Sequence, residues 1–384
     1  VVAQTALALI LLSGSGLLIR SFQALYSVDP GYEVADVFTF QFAPEEAHLV
    51  DGPSWAAFHV QTMNRIRSMP GVESVGIVEN VPLDEGVRGV RIRTGENPDP
   101  STSVLGSATL AAGDYFDAMG IDIIAGRGFT DEDAVTPGNA VVSRALAQTL
   151  WPGEDAVGRT IESTVVPDAW HTVVGVVDDI LQYDMRGEPE PLVYYPIVFE
   201  VAEAAVTSPG YVVKTARAET IAPDIRALVR EIAPSAPMYR TYTMQSLLDR
   251  VNAPLTFTMI ALVVAAGMSL MLGAIGLFGV LSYVVSQRSR EIGVRIALGA
   301  PTVNVQRMVV AQGAKVVAVG VAIGLGGALA AAGLMEGVLY GVRPLDPGTF
   351  AVATLLMLGV GLLASWLPAR RAATIDPIVS MRVD

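Results

Sequence analysis

The side chains that could do chemistry in this sequence form no catalytic pattern. The chain has 384 residues, no cysteine and three scattered histidines, which are His48, His59 and His171. Neither an H-E-x-x-H motif nor the G-x-x-x-x-G-K-[ST] loop of ATP hydrolysis occurs. Asp178, Asp179 and Asp184 lack the spacing of a calcium loop, so they favour a solvated acidic turn over a cation site. The sequence therefore predicts a non-enzymatic chain with no catalytic residue, no metal site and no cofactor of its own.

The most informative polar segment follows directly on a long apolar run. Residues 287–300 read QRSREIGVRIALGA. As a helix, this segment places Ile292 and Ile296 on one side and pairs Glu291 with Arg295 on another, and Gly299 before Pro301 suits its end. A short basic amphipathic helix that leaves a membrane span lies in the plane of the membrane surface, where it can contact a cytoplasmic partner. The candidate contact residues of this helix, at about 287–299, are Arg288, Arg290, Glu291, Ile292, Arg295, Ile296 and Leu298.

The elements around this segment are long and apolar. Hydrophobic residues make up 52% of the chain and charged residues only 16%, whereas about a quarter of the residues of a soluble domain are charged. A bilayer core about 30 Å thick needs roughly 20 apolar helical residues. Four stretches meet that length or nearly so, and they predict transmembrane helices at 1–20, about 255–285, about 312–337 and about 347–367.

The first stretch could instead be a signal peptide. It lacks an initiating Met, a basic leading region and a small-residue cleavage site, so a membrane span is the better interpretation. The missing Met predicts that the sequence begins inside a longer protein and that this first helix is truncated at its start.

The charges predict which side of the membrane each loop occupies. Residues 255–384 carry nine Lys/Arg against five Asp/Glu, whereas residues 21–254 carry fifteen against thirty-three. Basic residues concentrate after the second and fourth stretches, which makes those segments cytoplasmic by the positive-inside rule. Residues 21–252 are then extracytoplasmic, and their acidity excludes nucleic acid as a partner. Arg20 is an exception, because it lies at the outer end of the first stretch.

Small residues in the stretches predict close helix packing. Gly320 and Gly324 form a small-xxx-small face, and Gly273 and Gly276 lie within the second stretch. Such a face fits packing within one chain and a seam between two copies equally well, because the motif does not specify the partner helix.

The acidic middle of the chain predicts an α+β domain. A strand pattern at 37–42 precedes a helix that Pro70-Gly71 ends and a second strand at 75–78, and strand, helix and strand patterns recur at 211–214, 221–232 and 238–242. The first helix has four apolar side chains on one face, which are Trp55, Phe58, Met63 and Ile66. The two sets of patterns are two βαβ-like halves of one layer. Between them, at about 90–189, lies an insertion of short strands with a helix from Ser143 to Trp151. The fold class is therefore an α+β membrane protein, with four transmembrane helices and this large two-subdomain domain between the first and the second.

These segments resemble a known family, the MacB/FtsX-like ABC permeases. Residues 287–300 match its Q-R-x-R-E-I-[GA]-[VI]-R-x-A-[LI]-G-A signature, and the end at 368–377, PARRAATIDP, is similar to the family's ending. In the middle of the chain, the resemblance to the MacB-like branch rests on Asp114-Tyr115-Phe116 with Gly120, on Ala125-Gly126-Arg127, and on Trp151-Pro152-Gly153-Glu154 with Gly158-Arg159. Residues 1–4 resemble the first span of permeases in which two such units are fused, although the usual cytoplasmic segment before that span is missing.

The resemblance implies a MacB-like extracytoplasmic domain at 21–252 and an FtsX-like permease domain at 253–384. It also implies an ABC ATPase subunit that docks on the helix near Glu291 to Leu298 and binds ATP and Mg²⁺ in place of this chain. The other implied partners are a second permease copy or a fused homologous half, membrane lipid, and a periplasmic adaptor with an outer-membrane channel. The implied location is the inner membrane of a bacterium, with several membrane passes.

The function that follows is that of a permease subunit. ATP hydrolysis by a separate subunit would drive an extracytoplasmic conformational change and so export a substrate, which is efflux by mechanotransmission. Two alternatives stay open at this point. The chain could be a signalling permease that regulates cell-wall hydrolases or senses peptides, or a membrane-anchored extracytoplasmic binding receptor without an ATPase. A hydrolase or peptide-resistance phenotype would identify the first alternative, and failure to recover an ATPase in a pull-down would favour the second.

Overall fold

The fold is that of a computed structural model, which describes residues 1–44, 49, 51–84, 86–130, 132–133, 138–164, 166–183, 185–197, 208–288 and 301–373. The chain divides into two compact units. A membrane unit contains Val1–Ser27 and Ala253–Asp384, and an outer unit contains Val28–Asn252. The predicted fold class is confirmed, because long apolar helices form the first unit and mixed helices and strands form the second.

One half of the outer unit is a split βαβ sheet. Its elements are β1 (Val37–Phe42), α2 (Gly52–Arg67), β2 (Val72–Val78), β10 (Gly210–Thr215), α5 (Ala222–Ile232) and β11 (Met238–Thr243). The strands lie in the order β11-β1-β10-β2, and every neighbouring pair is antiparallel. Because β10 inserts between β1 and β2, the two predicted βαβ halves interlock in one layer, as in ferredoxin-like folds.

Local sequence accounts for both helices of this layer. At α2, Asp51 accepts a hydrogen bond from the Ser54 amide, and Ser54 accepts one from the Asp51 amide, which satisfies two free donors of the first turn. In α5, the buried side chains Ile225, Leu228 and Val229 share one face. Both helices pack on the sheet residues of a common hydrophobic core, which include Phe40 and Phe42.

The insertion is a closed barrel. Its strands are β3 (Arg88–Thr94), β4 (Val104–Gly113), β6 (Asn139–Ser143), β7 (Thr160–Ser163), β8 (Val166–Val177) and β9 (Leu192–Pro196). They pair in the order β4-β3-β7-β8-β6-β9, and β9 pairs in parallel with β4 to close the ring. The short strand β5 (Ile123–Gly126) pairs with β8 outside this ring. Closure satisfies the edges that an open six-stranded sheet would expose.

Two further helices and one shared strand complete the outer unit. The helices are α3 (Tyr115–Met119) and α4 (Arg144–Leu150), and the Ser143 hydroxyl caps α4 by accepting from the Leu146 amide at 3.2 Å, as the sequence predicts. Strand β4 belongs to both subdomains, because its last residues pair with β2 while its earlier residues pair with β3 and β9. The strands of the insertion thus run from Arg88 to Pro196, and β4 joins the barrel to the split sheet.

His59 makes the stability of the outer unit depend on pH. This side chain is fully buried in α2, and its Nδ1 lies 2.5 Å from the Tyr211 hydroxyl. Burial lowers the pKa of His59 from 6.5 to about 3, so the unfolded chain binds a proton at a pH where the folded chain does not. Stability is therefore lost as the pH falls below 6.5, and this residue contributes a loss of about 2 kcal/mol between pH 8 and pH 5.

The substitution His59→Gln tests this dependence. Glutamine keeps a hydrogen-bonding group for Tyr211 but does not titrate. Between pH 8 and pH 5, we therefore expect the unfolding free energy of the variant to fall by about 2 kcal/mol less than that of the native chain. The measurement is urea unfolding of the outer unit, followed by tryptophan fluorescence at pH 8 and pH 5. An equal loss in both proteins would contradict the assignment.

The membrane unit consists of long apolar helices. They are α1 (Val2–Tyr26), α6 (Met244–Gln287, of which Ala253–Gln287 belongs to this unit), α7 (Thr302–Leu334) and α8 (Pro347–Ala373), and each is long and apolar enough to cross a bilayer. The helices extend beyond the predicted spans at several ends. Helix α6 begins at Met244 where the sequence predicts a span from about 255, and α7 begins directly after Pro301 where it predicts one from about 312. The extra turns carry polar side chains, which a hydropathy criterion leaves out.

Candidate functional site

Most of the predicted coupling helix lies outside the described residues. Arg290, Glu291, Ile292, Arg295, Ile296 and Leu298 all fall in the undescribed segment 289–300. Arg288 is described and exposed at the end of α6. The preceding Gln287 donates a hydrogen bond from Nε2 to the Tyr283 hydroxyl at 2.7 Å. The roles of these residues therefore stay predictions.

The described residues on either side of that segment pack against each other. Val285 near the end of α6, Val309 in the first turns of α7 and Ala369 near the end of α8 form a small buried cluster. One turn further into α7, a Cβ on Gly313 would lie 2.2 Å from Ser365 Oγ of α8 and 3.0 Å from Leu281 Cδ1 of α6. We call these six residues the inner junction. Three helices thus meet closely at the membrane side from which segment 289–300 leaves and returns.

Gly320 and Gly324 contact α1 of the same chain. A Cβ on Gly320 would lie 2.6 Å from Thr5 Cβ, and one on Gly324 would lie 2.9 Å from both Ala6 Cα and the Ala6 carbonyl oxygen. Only glycine lets the backbones of α7 and α1 approach this closely. The structure thus places this face within one chain, the first of the two arrangements that the sequence left open.

Gly273 and Gly276 face the beginning of α1. A Cβ on Gly273 would lie 4.0 Å from Gln4 Cβ, and one on Gly276 would lie 3.0 Å from Gln4 Oε1 and 3.5 Å from Val1 Cγ2. These separations involve side-chain atoms only, so the contact of α6 with α1 is looser than the contact of α7 with α1.

Helix α6 is the least enclosed of the four long helices. Only 17% of the residues in its most apolar stretch are buried, against 44% in α1 and 33% in both α7 and α8. Its exposed large side chains include Phe257, Ile260, Met268, Met271 and Ile275. Helices α1, α7 and α8 therefore form a packed bundle, and α6 is bound to that bundle over a smaller part of its surface.

An ion pair at the outer end of the bundle explains the exceptional position of Arg20. Arg20 Nη1 donates a hydrogen bond to Asp346 Oδ2. The same oxygen accepts from the Thr349 amide at 2.8 Å and from Thr349 Oγ1 at 2.6 Å, so Asp346 also caps α8. Sequence reasoning missed this site, although Asp346 before Pro347 is a recognisable helix start.

The W-P-G-E and G-R residues of the outer unit form a structural network. Arg159 Nη1 donates to both carboxylate oxygens of Glu96, at 2.8 and 2.9 Å. Trp151 Nε1 donates to the same carboxylate at 3.2 Å, and the Arg159 guanidinium lies 5.6 Å from the centre of the Trp151 ring. Arg159 also pairs with Glu154. These contacts tie the end of α4 to the barrel and place no reactive group in a cleft.

A second network holds the turn after β5. Asp133 is buried, and its carboxylate accepts from Arg127 Nη1 at 2.6 Å, Asn139 Nδ2 at 2.6 Å and the Thr130 amide at 2.7 Å. Burial alone would raise the pKa of Asp133, but the hydrogen bonds from Arg127, Asn139 and Thr130 together lower it far below its ordinary value. Arg127 of the A-G-R segment is thus a structural cation.

The acidic turn and the histidines that the structure describes also have structural roles. Asp178 pairs with Arg144 at 3.0 Å, and Asp179 Oδ1 accepts from the Ala145 amide at 2.7 Å, in the first turn of α4. His171 packs edge-on against Tyr195, while Asp184 and His48 lie outside the described residues. Within the part of the chain that the structure describes, no group of three His, Cys, Asp or Glu side chains could hold a metal ion.

Two family profiles match the chain. The profile of the MacB-like periplasmic core domain matches residues 5–232, and that of the FtsX-like permease C-terminal region matches residues 263–377. The first match covers most of α1 and most of the outer unit, and the second covers most of the membrane helices that follow the outer unit.

Curated relatives include MacB proteins and an ABC transporter permease named YknZ. The macrolide export ATP-binding/permease protein MacB of Azoarcus sp. is 26% identical over 337 residues, which is 85% of this chain and 48% of that protein. The MacB protein of Rhodospirillum rubrum is 30% identical over 286 residues, 72% of this chain and 41% of that one. The uncharacterized ABC transporter permease YknZ of Bacillus subtilis is 24% identical over 355 residues, which is 89% of this chain and 84% of that protein. The chain thus spans about half the length of the MacB relatives.

Solved structures resemble the outer part of the chain. The periplasmic region of MacB from Actinobacillus actinomycetemcomitans aligns with a TM-score of 0.39 and 13% identity, over 61% of this chain and 98% of that one. The extracellular domain of YknZ from Gram-positive bacteria aligns with a TM-score of 0.35 and 17% identity, over 53% of this chain and 100% of that one.

Proposed function

The chain belongs to the family of MacB- and FtsX-like ABC transporter permeases, and on that basis we propose that it is the non-catalytic permease subunit of an export machine. In this proposal, ATP is hydrolysed by a separate ABC ATPase subunit that docks on residues 287–299. The resulting motion changes the conformation of the extracytoplasmic domain and drives a substrate outward. The match of both family profiles, at residues 5–232 and 263–377, is the observation that carries the proposal.

Helix α6 supports a mechanical route for this coupling. Within the membrane unit it runs from Ala253 to Gln287, a length of about 52 Å at 1.5 Å per residue, compared with a bilayer core of about 30 Å. Its inner end joins the segment that would contact the ATPase. Since α6 is packed less tightly than α1, α7 and α8, it can shift against the bundle at a smaller loss of contacts.

The inner junction supports the same route. Val285, Val309 and Ala369 bring the ends of three helices together beside segment 289–300. A force on that segment would act on α6 and α7 together, because it connects the two. Packed interfaces of this kind shift between discrete arrangements and do not deform continuously.

The apolar spans support transmission in preference to a polar conduit. No charged residue occurs between Val251 and Gln287, or between Val316 and Met335. Ionisable residues inside a membrane commonly mark a route for polar solutes. The proposal therefore places the substrate outside the bilayer centre, on the extracytoplasmic side of a bacterial inner membrane. A second copy of the permease, or a homologous half, would complete the assembly.

A combined substitution of Glu291, Arg295 and Ile296 with alanine tests the coupling role. These side chains would carry the contact with the ATPase, so we expect co-purification of the ATPase and transport both to fall at least tenfold. The two readouts are ATPase recovered with the tagged permease and substrate efflux from cells. A matched control is Gln306→Ala in α7, since it lies outside the predicted docking helix and should leave both readouts unchanged.

The two readouts distinguish a loss of ATPase binding from a loss of motion transmission. Normal association with lost transport would show that the helix transmits motion without providing the binding energy. Normal association together with normal transport would contradict the role of this segment.

A further inference from the structure

An apolar groove opens between three helices of the membrane unit. Its volume is about 440 Å³, and its lining includes Leu12 and Ile19 of α1, Val263 of α6, and Val352 and Leu356 of α8. Leu12 lies near the middle of α1. The other four residues lie in the parts of their helices nearest to the extracytoplasmic segments in the chain, which places most of the groove in the outer leaflet.

The polar groups along the groove have their hydrogen bonds satisfied. Ser15 Oγ donates to the Leu11 carbonyl at 2.7 Å, and Thr349 Oγ1 donates to Asp346. The walls therefore offer an occupant apolar surface without free hydrogen-bonding groups. This chemistry fits a hydrocarbon and not a polar solute.

The rim of the groove carries a partly exposed arginine. Arg20 lines the groove, and although Asp346 balances its charge, about half of its side chain (52%) is exposed. A guanidinium has five N–H donors, so a single carboxylate oxygen leaves donors for another anion. Gly348 of the first turn of α8 also lines the groove, beside the helix start that Asp346 caps.

The size of the groove fits a flexible chain. From Leu12 to Arg20 it extends over eight residue steps, or about 12 Å along α1. Its volume of about 440 Å³ lies within the range of about 300–1,000 Å³ typical of sites for small molecules, and a flexible hydrocarbon chain can fill it.

We infer that this groove binds one acyl chain of an anionic phospholipid of the outer leaflet, with the lipid phosphate at Arg20. The surrounding bilayer is as apolar as the groove, so an acyl chain gains little hydrophobic free energy when it moves from the bilayer into the groove. Binding must then come from the phosphate at Arg20 and from the dispersion contacts that an empty groove would lose. The preference for an anionic lipid comes from its headgroup, which lacks the second cation that a choline headgroup would place near Arg20. The inference rests on the membrane placement of these helices and is independent of the coupling to an ATPase.

Two adjacent valines of α6 provide a matched test of the groove. Val263 lines it, whereas Val264 is exposed elsewhere on the same helix. The measurement is native mass spectrometry of the full chain in detergent, titrated with phosphatidylglycerol or with phosphatidylcholine of the same acyl chains. The native chain is expected to bind one phosphatidylglycerol at least tenfold more tightly than phosphatidylcholine. Val263→Trp is expected to lose this binding at least tenfold, and Val264→Trp to keep it.

Two substitutions at the rim separate the cation from the ion pair. Both Arg20→Gln and Asp346→Asn break the pair, but only the first removes the positive charge. Arg20→Gln should therefore bind the two lipids equally, and Asp346→Asn should keep the preference for phosphatidylglycerol. Equal loss of preference in both variants would overturn the inference.

Three other results would also overturn it. One is equal binding of the two lipids by the native chain, and another is unchanged lipid binding by Val263→Trp. The third is a Val263→Trp variant that changes the number of associated copies without changing lipid binding, because the groove would then face a second copy of the chain.

Discussion

Replacement of Gly324 by leucine is expected to separate α7 from α1 and to lower the stability of the membrane unit by about 3 kcal/mol. A Cβ at this position would lie 2.9 Å from the Cα and from the carbonyl oxygen of Ala6. Both of these are backbone atoms, so no change of rotamer in α1 can relieve the overlap. The two helices must move apart, and the contacts of Leu9 and Leu17 with the bundle weaken as a consequence.

The neighbouring Gly326 is the matched control for this prediction. A Cβ there meets no atom within 4 Å, so Gly326→Leu adds the same side chain to the same helix without a clash. Thermal unfolding in detergent should show a lower midpoint for Gly324→Leu and a midpoint close to the native one for Gly326→Leu. Equal midpoints for the two variants would rule out the close contact between α1 and α7.

Replacement of Asp133 by asparagine is expected to destabilise the outer unit by about 3 kcal/mol, since removal of one member of a buried pair leaves its partner groups unpaired. Asp133 is almost fully buried and receives hydrogen bonds from Arg127, Thr130 and Asn139. An asparagine amide cannot accept all of them, and its NH₂ group would face the Arg127 guanidinium or the Asn139 amide.

The pH dependence of this prediction has a defined sign. Hydrogen bonds hold the pKa of Asp133 below its ordinary value of 3.8. The stabilisation is therefore complete above that value and is lost as the pH falls below it. Urea unfolding should show that the difference in unfolding free energy between Asp133→Asn and the native protein is smaller at pH 3 than at pH 7.

The pair between Arg217 and Asp224 provides the control. Both side chains are well exposed, 40% and 50% respectively, and exposed pairs contribute about 0–1 kcal/mol. Asp224→Asn should therefore change the unfolding free energy by less than about 1 kcal/mol. If Asp133→Asn cost no more than Asp224→Asn, the burial of Asp133 would have no energetic consequence.

Local patterns predicted the elements of the split sheet well. The strand pattern at 37–42 corresponds to β1, whose residues are all buried. The helical periodicity at 221–232 corresponds to α5, because that pattern reflects burial of one face on the adjacent sheet. The closure of the barrel could not be predicted in this way. It depends on pairing between β4 and β9, which are far apart in the sequence and carry no local signal for one another.

In the membrane unit, too, local features were predictable from the sequence and distant partners were not. The spacing of Gly320 and Gly324 predicted a close helix contact, but the identity of α1 as the partner is a tertiary property. Arg20 stood out as a violation of the positive-inside rule, and its explanation required Asp346, which is more than 300 positions away. Residues whose role depends on a distant partner are therefore the ones that sequence reasoning missed.

The interlocked order of the strands has a consequence for synthesis and translocation. Strand β10 must enter between β1 and β2, and β9 must reach β4 before the ring closes. The barrel cannot complete its hydrogen bonding until the chain up to about residue 196 has crossed the membrane, and the split sheet cannot do so until about residue 243. Long-range pairings of this kind form slowly. The emerging segment therefore carries unpaired strands for much of its passage. A chaperone on the far side of the membrane would protect the segment most during this interval.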